Sequence, residues 1–362
     1  MTTWTRRQLF VAGGVAAVAV ACGSDGPTAS PGEPFVQPEV LSSTGGRLEV
    51  TLRASATRVP YGSGTRFALT YNGGTPGPTL RVRPGDRLVV TLENDLDQPT
   101  NLHTHGLHVA PGGDSDNVFV MVGPGDSHTY TYDIPADHRP ATCWYHPHHH
   151  GSVAAQVSGG LFGAILVDGD GPVALADVPV RTLLLNDPKV GTSSRVLSAS
   201  MMQKMHGREG GLALVNGVDA PRLDVAAGSL ERWRVVNASP SRYYRLALDD
   251  HQLAVVATDG GLLPRPVLRD DVLLVPGERV EVLVAPSRAG SYAFRTLGHD
   301  RGSAEMGGGS SGSGPQVLAT VQVTGSRPPA ALPDDLVPAS SVTVGPAGRT
   351  RPFTLAMGMG GG

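Results

Sequence analysis

Two stretches decide how this chain is read: Thr142-Cys143-Trp144-Tyr145-His146-Pro147-His148-His149-His150-Gly151 and its shorter counterpart His103-Thr104-His105-Gly106-Leu107-His108. They hold seven of the 12 histidines in 362 residues, a concentration that points to a metal site rather than to a merely polar surface. Alternate residues of an extended strand share a face and stand roughly 6.5–7 Å apart. His103 with His105, and His146 with His148, are therefore each expected to present two imidazoles to one side, four nitrogens in all. Imidazole suits zinc, copper, iron and nickel alike, so ligand type alone leaves the metal open. A zinc hydrolase built on four histidines would need a general base, and no general-base motif accompanies them.

Outward from these tracts, Arg47 to Ala54, Arg66 to Tyr71, Thr79 to Val82, Arg87 to Glu93, His128 to Ile134 and Phe162 to Val167 alternate or run apolar between Gly, Pro, Asn and Asp. They predict one Greek-key β-sandwich. A second series repeats it in outline: Val180 to Leu185, Arg222 to Val225, Leu230 to Asn237, Tyr244 to Leu248, Val272 to Val275, Val280 to Ala285, Gly290 to Thr296 and Gln316 to Val323. In the first series Arg83-Pro84-Gly85-Asp86-Arg87 precedes a strand ending at Asn94. In the second, Ala226-Ala227-Gly228-Ser229 precedes one ending at Asn237. With 48 glycines and 30 prolines the chain is turn-rich yet short of low complexity, which suits short strands joined by many turns. The expected fold is all-β, two sandwiches in tandem. The Gly- and Ser-rich stretch Gly307 to Gly314 is expected to be a long hairpin loop, and Arg327 to Arg351, with its repeated prolines, an interdomain linker.

These residues resemble a known family, the multicopper oxidases, which include laccases and bacterial cuprous oxidases. His103-Thr104-His105-Gly106 is similar to the family's first copper motif, and Thr142-Cys143-Trp144-Tyr145-His146-Pro147-His148 to its second. Gly159-Gly160-Leu161-Phe162-Gly163-Ala164, Val215-Asn216-Gly217, Glu231-Arg232-Trp233-Arg234-Val235-Val236-Asn237 and Pro276-Gly277-Glu278-Arg279 extend the likeness over most of the chain after residue 45. The resemblance implies cupredoxin-like Greek-key domains at residues 36–170 and 178–325, followed by a linker and the start of a third domain over 326–362.

Carried over residue by residue, it assigns His103 to a type 2 copper, His105 to one type 3 copper, and His146 and His148 each to one of the type 3 pair. That is half of a trinuclear cluster. The family completes the cluster with histidines of H-P-x-H-L-H-G and H-C-H motifs in a third domain, and neither motif occurs in these 362 residues. The H-C-H cysteine is also the type 1 copper ligand, whereas the cysteines here are Cys22 and Cys143. The chain is thus expected to correspond to the first two domains of a three-domain enzyme, ending near Phe353-Thr354-Leu355-Ala356-Met357, and to lack steady oxidase activity alone. The resemblance also makes Asp116, eleven residues beyond His105, the candidate proton relay, with Asp114 its rival and a turn-capping aspartate the plain alternative. His108, His149 and His150 fall outside the family's ligand set and are expected to be solvated or hydrogen-bonded. His206, beside Met201, Met202 and Met205, is expected in a structural loop, and Met357 and Met359 are too few to relay copper.

Arg6-Arg7-Gln8-Leu9-Phe10 followed by the apolar run Val11 to Ala21 reads as an export signal over residues 1–26, its paired arginines pointing to the twin-arginine route. Ala19-Val20-Ala21-Cys22-Gly23-Ser24 resembles a bacterial lipoprotein cleavage site, implying a lipid anchor at Cys22 on an exported, periplasmic or cell-surface protein. Removing that segment is expected to leave a single cysteine, Cys143, and so no intrachain disulfide, and its place beside Trp144 favours a small buried apolar role. A net charge of −3 gives no electrostatic reason for nucleic-acid binding. The implied partners are dioxygen and a phenolic or metal-ion reductant, with copper as cofactor. The alternative is a non-enzymatic exported copper-binding or structural cupredoxin-fold protein.

Overall fold

Period-two alternation builds the first sandwich strand by strand. In the computed structural model, residues 32–169, 175–191, 200, 203, 207–300, 314–338 and 348–354 are described. The expected export signal with Cys22, the Met201/Met202/Met205/His206 patch, nearly all of the Gly307–Gly314 stretch, and Met357 and Met359 lie outside the described residues.

The first sandwich contains β1 (Val40–Ser42), β2 (Arg47–Pro60), β3 (Thr65–Tyr71), β4 (Thr79–Val82), β5 (Arg87–Asn94), β6 (His103–His105), β7 (Ser127–Asp133), β8 (Ala141–His146), the short helix α1 (Val153–Gly159) and β9 (Gly163–Val167). One sheet runs β3-β2-β5-β7 and the other β1-β4-β9-β8-β6. Leu88, Val90 and Leu92 of β5 and Tyr130 and Tyr132 of β7 point inward and meet Cys143, Tyr145, Ile165 and Val167 from the facing sheet. Each such fully buried side chain stabilises the fold by roughly 1.5–3 kcal/mol.

The second sandwich contains β10 (Val180–Asn186), β11 (Leu214–Val215), β12 (Val218–Asp219), β13 (Arg222–Ala226), β14 (Glu231–Asn237), β15 (Tyr244–Leu248), β16 (Leu253–Thr258), β17 (Gly261–Arg269), β18 (Val272–Leu274), β19 (Arg279–Val284), β20 (Gly290–Leu297) and β21 (Gln316–Thr324). Its sheets run β12-β11-β10-β14-β19-β16-β17 and β13-β21-β20-β15-β18. Trp233, Tyr244 and Phe294 sit at its centre, with Trp233 and Phe294 edge to face at 5.3 Å.

The alternate residues of β8 and β9 face the second sandwich. Trp144, Ala164 and Leu166, with Phe162, pack against Leu184 of β10 and Val236 of β14. That explains why β8, β9, β14 and β19 are buried on both faces, β9 as an uninterrupted apolar run and β14 and β19 with Arg232, Arg234 and Glu281 among their buried residues. Several polar groups at this seam pair with one another. The nearly inaccessible Glu281 carboxylate accepts from Thr142 Oγ1 and from Arg232 Nε, each at 2.6 Å. Arg234 Nη2 donates to Asp168 at 2.7 Å.

Three expectations need correction. The sequence pattern does not mark Leu253–Thr258 and Gly261–Arg269 as strands, yet they form β16 and β17. Pro264 and Pro266 interrupt the second of these, and its place at a sheet edge tolerates them because no ladder partner is needed on the outer side. The segment after Arg327 is not a free linker throughout. Leu332 and Leu336 pack on Ala254, Val256 and Leu283, and Leu336 N donates to Pro264 O at 2.8 Å. Finally, β8 stops at His146, so His148 does not share a strand face with it. Proline at 147 has no N–H to continue a ladder.

Candidate metal centre

The antiparallel pairing of β6 with β8 sets His103 opposite His146 and His105 opposite Trp144. Since Cys143 and Tyr145 point into the first sandwich's core, Trp144 and His146 point the other way, and His103 and His105 join them on that outer face. The imidazoles of His103 and His146 stand edge to face with centroids 5.2 Å apart, and His105 lies 6.0 Å from each. One nitrogen from each of His103, His105 and His146 falls within 4.8 Å of the others. His148 reaches the group from beyond the strand, its exposed ring 5.0 Å from that of His103. Its backbone N–H donates to the buried Asn101 Oδ1 at 2.6 Å, and Asn101 Nδ2 in turn donates to Val118 O and Val120 O.

Two of the rings have their outer nitrogen fixed by a neighbour. His146 Nδ1 lies 2.8 Å from Pro147 O, which only accepts, so Nδ1 carries the hydrogen and Nε2 the lone pair. His103 Nδ1 lies 3.0 Å from Asp116 Oδ1, an acceptor that also takes the Thr104 N–H at 2.8 Å. Such carboxylate and carbonyl partners set the tautomer and aim the remaining nitrogen. Burial pushes the His146 imidazole down to about 3, and burial with the nearby Arg279 guanidinium pushes His105 down to about 4. Both rings are neutral at pH 7, the form a metal requires.

Trp144 forms the floor. Its indole stacks on His146 at 4.0 Å and 27° and on His105 at 5.4 Å and 24°. Cys143 faces away, buried, its thiol pushed up to about 12 chiefly by desolvation, which suits the packing role expected for it. The other sequence candidates sit apart. The Asp114 carboxylate is exposed and 3.5 Å from His128 Nε2 rather than near His103. His108 N donates to the buried His138 Nε2 at 3.2 Å, and His150 is exposed in the turn before α1. Asn101 and Trp144 escaped sequence reasoning as site residues. The signal for Trp144 was its place two residues before His146, which puts both on one strand face.

Copper fits these residues. The decisive observation is His146 Nε2, a buried nitrogen with no hydrogen-bond partner, at the centre of three imidazoles. An unpartnered buried polar atom is expensive unless a ligand completes it, and imidazole suits copper.

Comparison with known proteins agrees. Two family models, each described as multicopper oxidase, match residues 53–171 and 144–312. A multicopper oxidase of Staphylococcus haemolyticus is 31% identical over 281 residues, covering 74% of this chain and 60% of that protein. The cell division protein FtsP of Pectobacterium atrosepticum is 30% identical over 368 residues, covering 97% of this chain and 75% of its own length. Among solved structures, a Campylobacter jejuni multicopper oxidase described as a metallo-oxidase superposes with a TM-score of 0.77 at 28% identity, covering 87% of this chain and 65% of that one. The chain spans about 60% of the length of the staphylococcal relatives. With its two β-sandwiches and these matches along its length, the chain belongs to the multicopper oxidase family.

Proposed function

We propose that this chain is part of an exported multicopper oxidase, laccase-like or cuprous-oxidase-like, that couples one-electron oxidation of phenols or metal ions to four-electron reduction of dioxygen to water. His103 would hold the type 2 copper, His105 one type 3 copper, and His146 and His148 one each of the type 3 pair. Bound there, copper supplies one-electron redox chemistry toward dioxygen. The chain's own residues orient and protonate. Asp116 keeps the proton on His103 Nδ1 and so presents Nε2 to the centre. Dioxygen needs four protons to become water, and a carboxylate with part of its side chain open to solvent is suited to deliver them by repeated exchange. Trp144 shields two imidazoles from water.

The buried, unpartnered His146 Nε2 carries this reading. The domain division at 36–170 and 178–325 is supported by the sheets, none of which joins strands from both segments. Export rests on Arg6-Arg7 and the apolar run after them, and lipid anchoring on Cys22. No helix among the described residues is long and apolar enough to cross a membrane. Because H-C-H is absent from the 362 residues, the chain alone is expected to bind copper without steady turnover.

Copper titration followed by electron paramagnetic resonance tests the site. The unaltered chain is expected to bind, and His103→Ala with His146→Ala to lose affinity by on the order of a hundredfold or more. Equal affinity in both proteins would sink the ligand assignment. The likeness to cell division proteins supports a second reading, a non-enzymatic copper-binding or structural protein. Retention of four histidines, two with pinned tautomers, favours metal chemistry over its loss.

A further inference from the structure

The histidine face is not lined by the first sandwich alone. The second reaches it through Pro276-Gly277-Glu278, between β18 and β19, and through Arg279 at the start of β19. That segment is tied into its own sandwich by hydrogen bonds. Gly277 N donates to Asn237 O at 2.9 Å, Glu278 N to Val275 O at 3.0 Å, and Glu278 Oε2 accepts from Val275 N at 2.8 Å. Gly277 has φ +82, and a Cβ built there would stand 2.9 Å from His105 Cε1. The His105 ring is thus stacked on the Trp144 indole and abutted at its Cε1 end by Gly277.

Arg279 completes the contact. Buried at 4% side-chain exposure, it donates through Nε to Thr142 O at 3.0 Å and through Nη1 to Gly277 O at 3.2 Å, and it pairs with Asp259 at 2.8 Å. Its Nη2 lies over Gly106, where a Cβ would come within 2.5 Å. Gly106 follows His105 directly at φ +104, so the glycine of the first histidine motif leaves the space that the arginine of the other sandwich fills.

We propose that Gly277 and Arg279 form an interdomain clamp that positions His105: Gly277 abuts the Cε1 end of the imidazole, and Arg279 ties the His105-Gly106 turn to Thr142 of β8. Both are positioning residues. The value of the clamp for copper rests on the proposed function above, whereas its effect on ring placement does not.

The test compares Gly277→Ala, Arg279→Lys and Gly325→Ala in the full chain, with circular dichroism to confirm folding. Gly325 has φ +80 with nothing within 4 Å of a built Cβ, so its variant carries the same backbone strain without touching a histidine. Arg279→Lys keeps the charge but loses the planar fork that bridges the two sandwiches. The first readout is the histidine ring resonances of the metal-free protein, with His105 assigned through His105→Gln and its shift set by the ring current of Trp144. The second is copper(II) affinity and paramagnetic resonance spectrum.

Gly277→Ala and Arg279→Lys are expected to move the His105 resonances and to lower copper affinity by about tenfold or more, with Gly325→Ala changing neither. His105 resonances and copper spectra identical to those of the unaltered chain in both clamp variants would overturn the proposal. If Gly277→Ala does not fold, Arg279→Lys decides alone. An unaltered chain that binds no copper, while the clamp variants still displace the ring, would defeat the copper reading and uphold the clamp.

Discussion

Asn94 and Asn237 end matching strands of the two sandwiches and turn the same corner. Asn94 Oδ1 accepts from Leu96 N at 3.0 Å while its Nδ2 donates to Gln98 O and Val122 O. Asn237 Oδ1 accepts from Ser239 N at 3.0 Å while its Nδ2 donates to Arg242 O and Leu274 O. Beyond the corner the two diverge. In the second sandwich Arg242 and Asp187, both inaccessible, form an ion pair at 3.1 Å, and Gly210 closes it with its N–H to Asp187 at 2.8 Å and its carbonyl on Arg242 at 2.7 Å. In the first sandwich the chain runs on to His103 and His105, and His146 Nε2 and Trp144 Nε1 are left buried without partners. One scaffold corner therefore serves two ends. Beside the second corner lies an opposite-charge pair, which leaves only Asp187 Oδ1 without a hydrogen bond; beside the first, the unpartnered His146 Nε2 stands among three imidazoles with no opposite charge of its own, the arrangement a metal would complete.

The largest effect that would sharpen this contrast is expected at the structural corner. Arg242→Ala leaves the Asp187 carboxylate buried without its cation, a loss of roughly 3–5 kcal/mol by urea denaturation, with copper affinity per folded molecule unchanged. Burial already holds Asp187 above the ordinary carboxylate value, against the pull of Arg242 and the Gly210 N–H. Without Arg242 it rises further. The folded state then binds the proton more tightly than the unfolded chain, so stability falls as pH rises between the two values. The deficit is expected to be smaller near pH 4 than near pH 7. A deficit independent of pH would assign the loss to packing alone, and a copper affinity that fell with it would break the separation between the two corners.

Next in size is Asp116→Asn. The amide oxygen still accepts from Thr104 N–H, so the turn survives, but the charge that holds the proton on His103 Nδ1 is gone. Copper affinity is expected to fall by about ten- to a hundredfold, read by titration, with little change in melting temperature. An unchanged affinity would reduce Asp116 to a turn residue.

How much of this was legible in sequence follows from how local each signal is. The alternation of Arg87 to Glu93 and of Tyr244 to Leu248 marked β5 and β15 as strands, and the two H-x-H tracts pointed to the histidine cluster because each pair of imidazoles is set by a few neighbouring residues. The role of Asn101 was hidden because its bonds reach His148 and the Val118–Val120 backbone, partners with no periodic relation to it. Gly277 beside His105 was hidden more deeply, since the contact joins two sandwiches and leaves no pattern in either. The prolines of β17 concealed an edge strand. Leu332 and Leu336 looked like linker residues because nothing in a proline-rich stretch reveals that a neighbouring sheet face needs covering.

The smallest expected effect separates two carboxylates that the sequence could not. Asp114 and Asp116 lie two residues apart, and either was a candidate proton carrier. Only Asp116 is within hydrogen-bond reach of a site imidazole. Asp114, with 76% of its side chain exposed, faces His128 at 3.5 Å on the surface of β7, while its backbone carbonyl accepts from Thr131 N at 2.6 Å. An exposed pair of this kind gives little, about 1 kcal/mol at most, and the backbone bond survives a side-chain change. Asp114→Asn should therefore leave copper affinity, the copper spectrum and the melting temperature within error of the unaltered chain, while Asp116→Asn moves the first two. If Asp114→Asn instead weakened copper binding as much as Asp116→Asn, the loop's overall negative charge, not one aimed carboxylate, would be what the site uses.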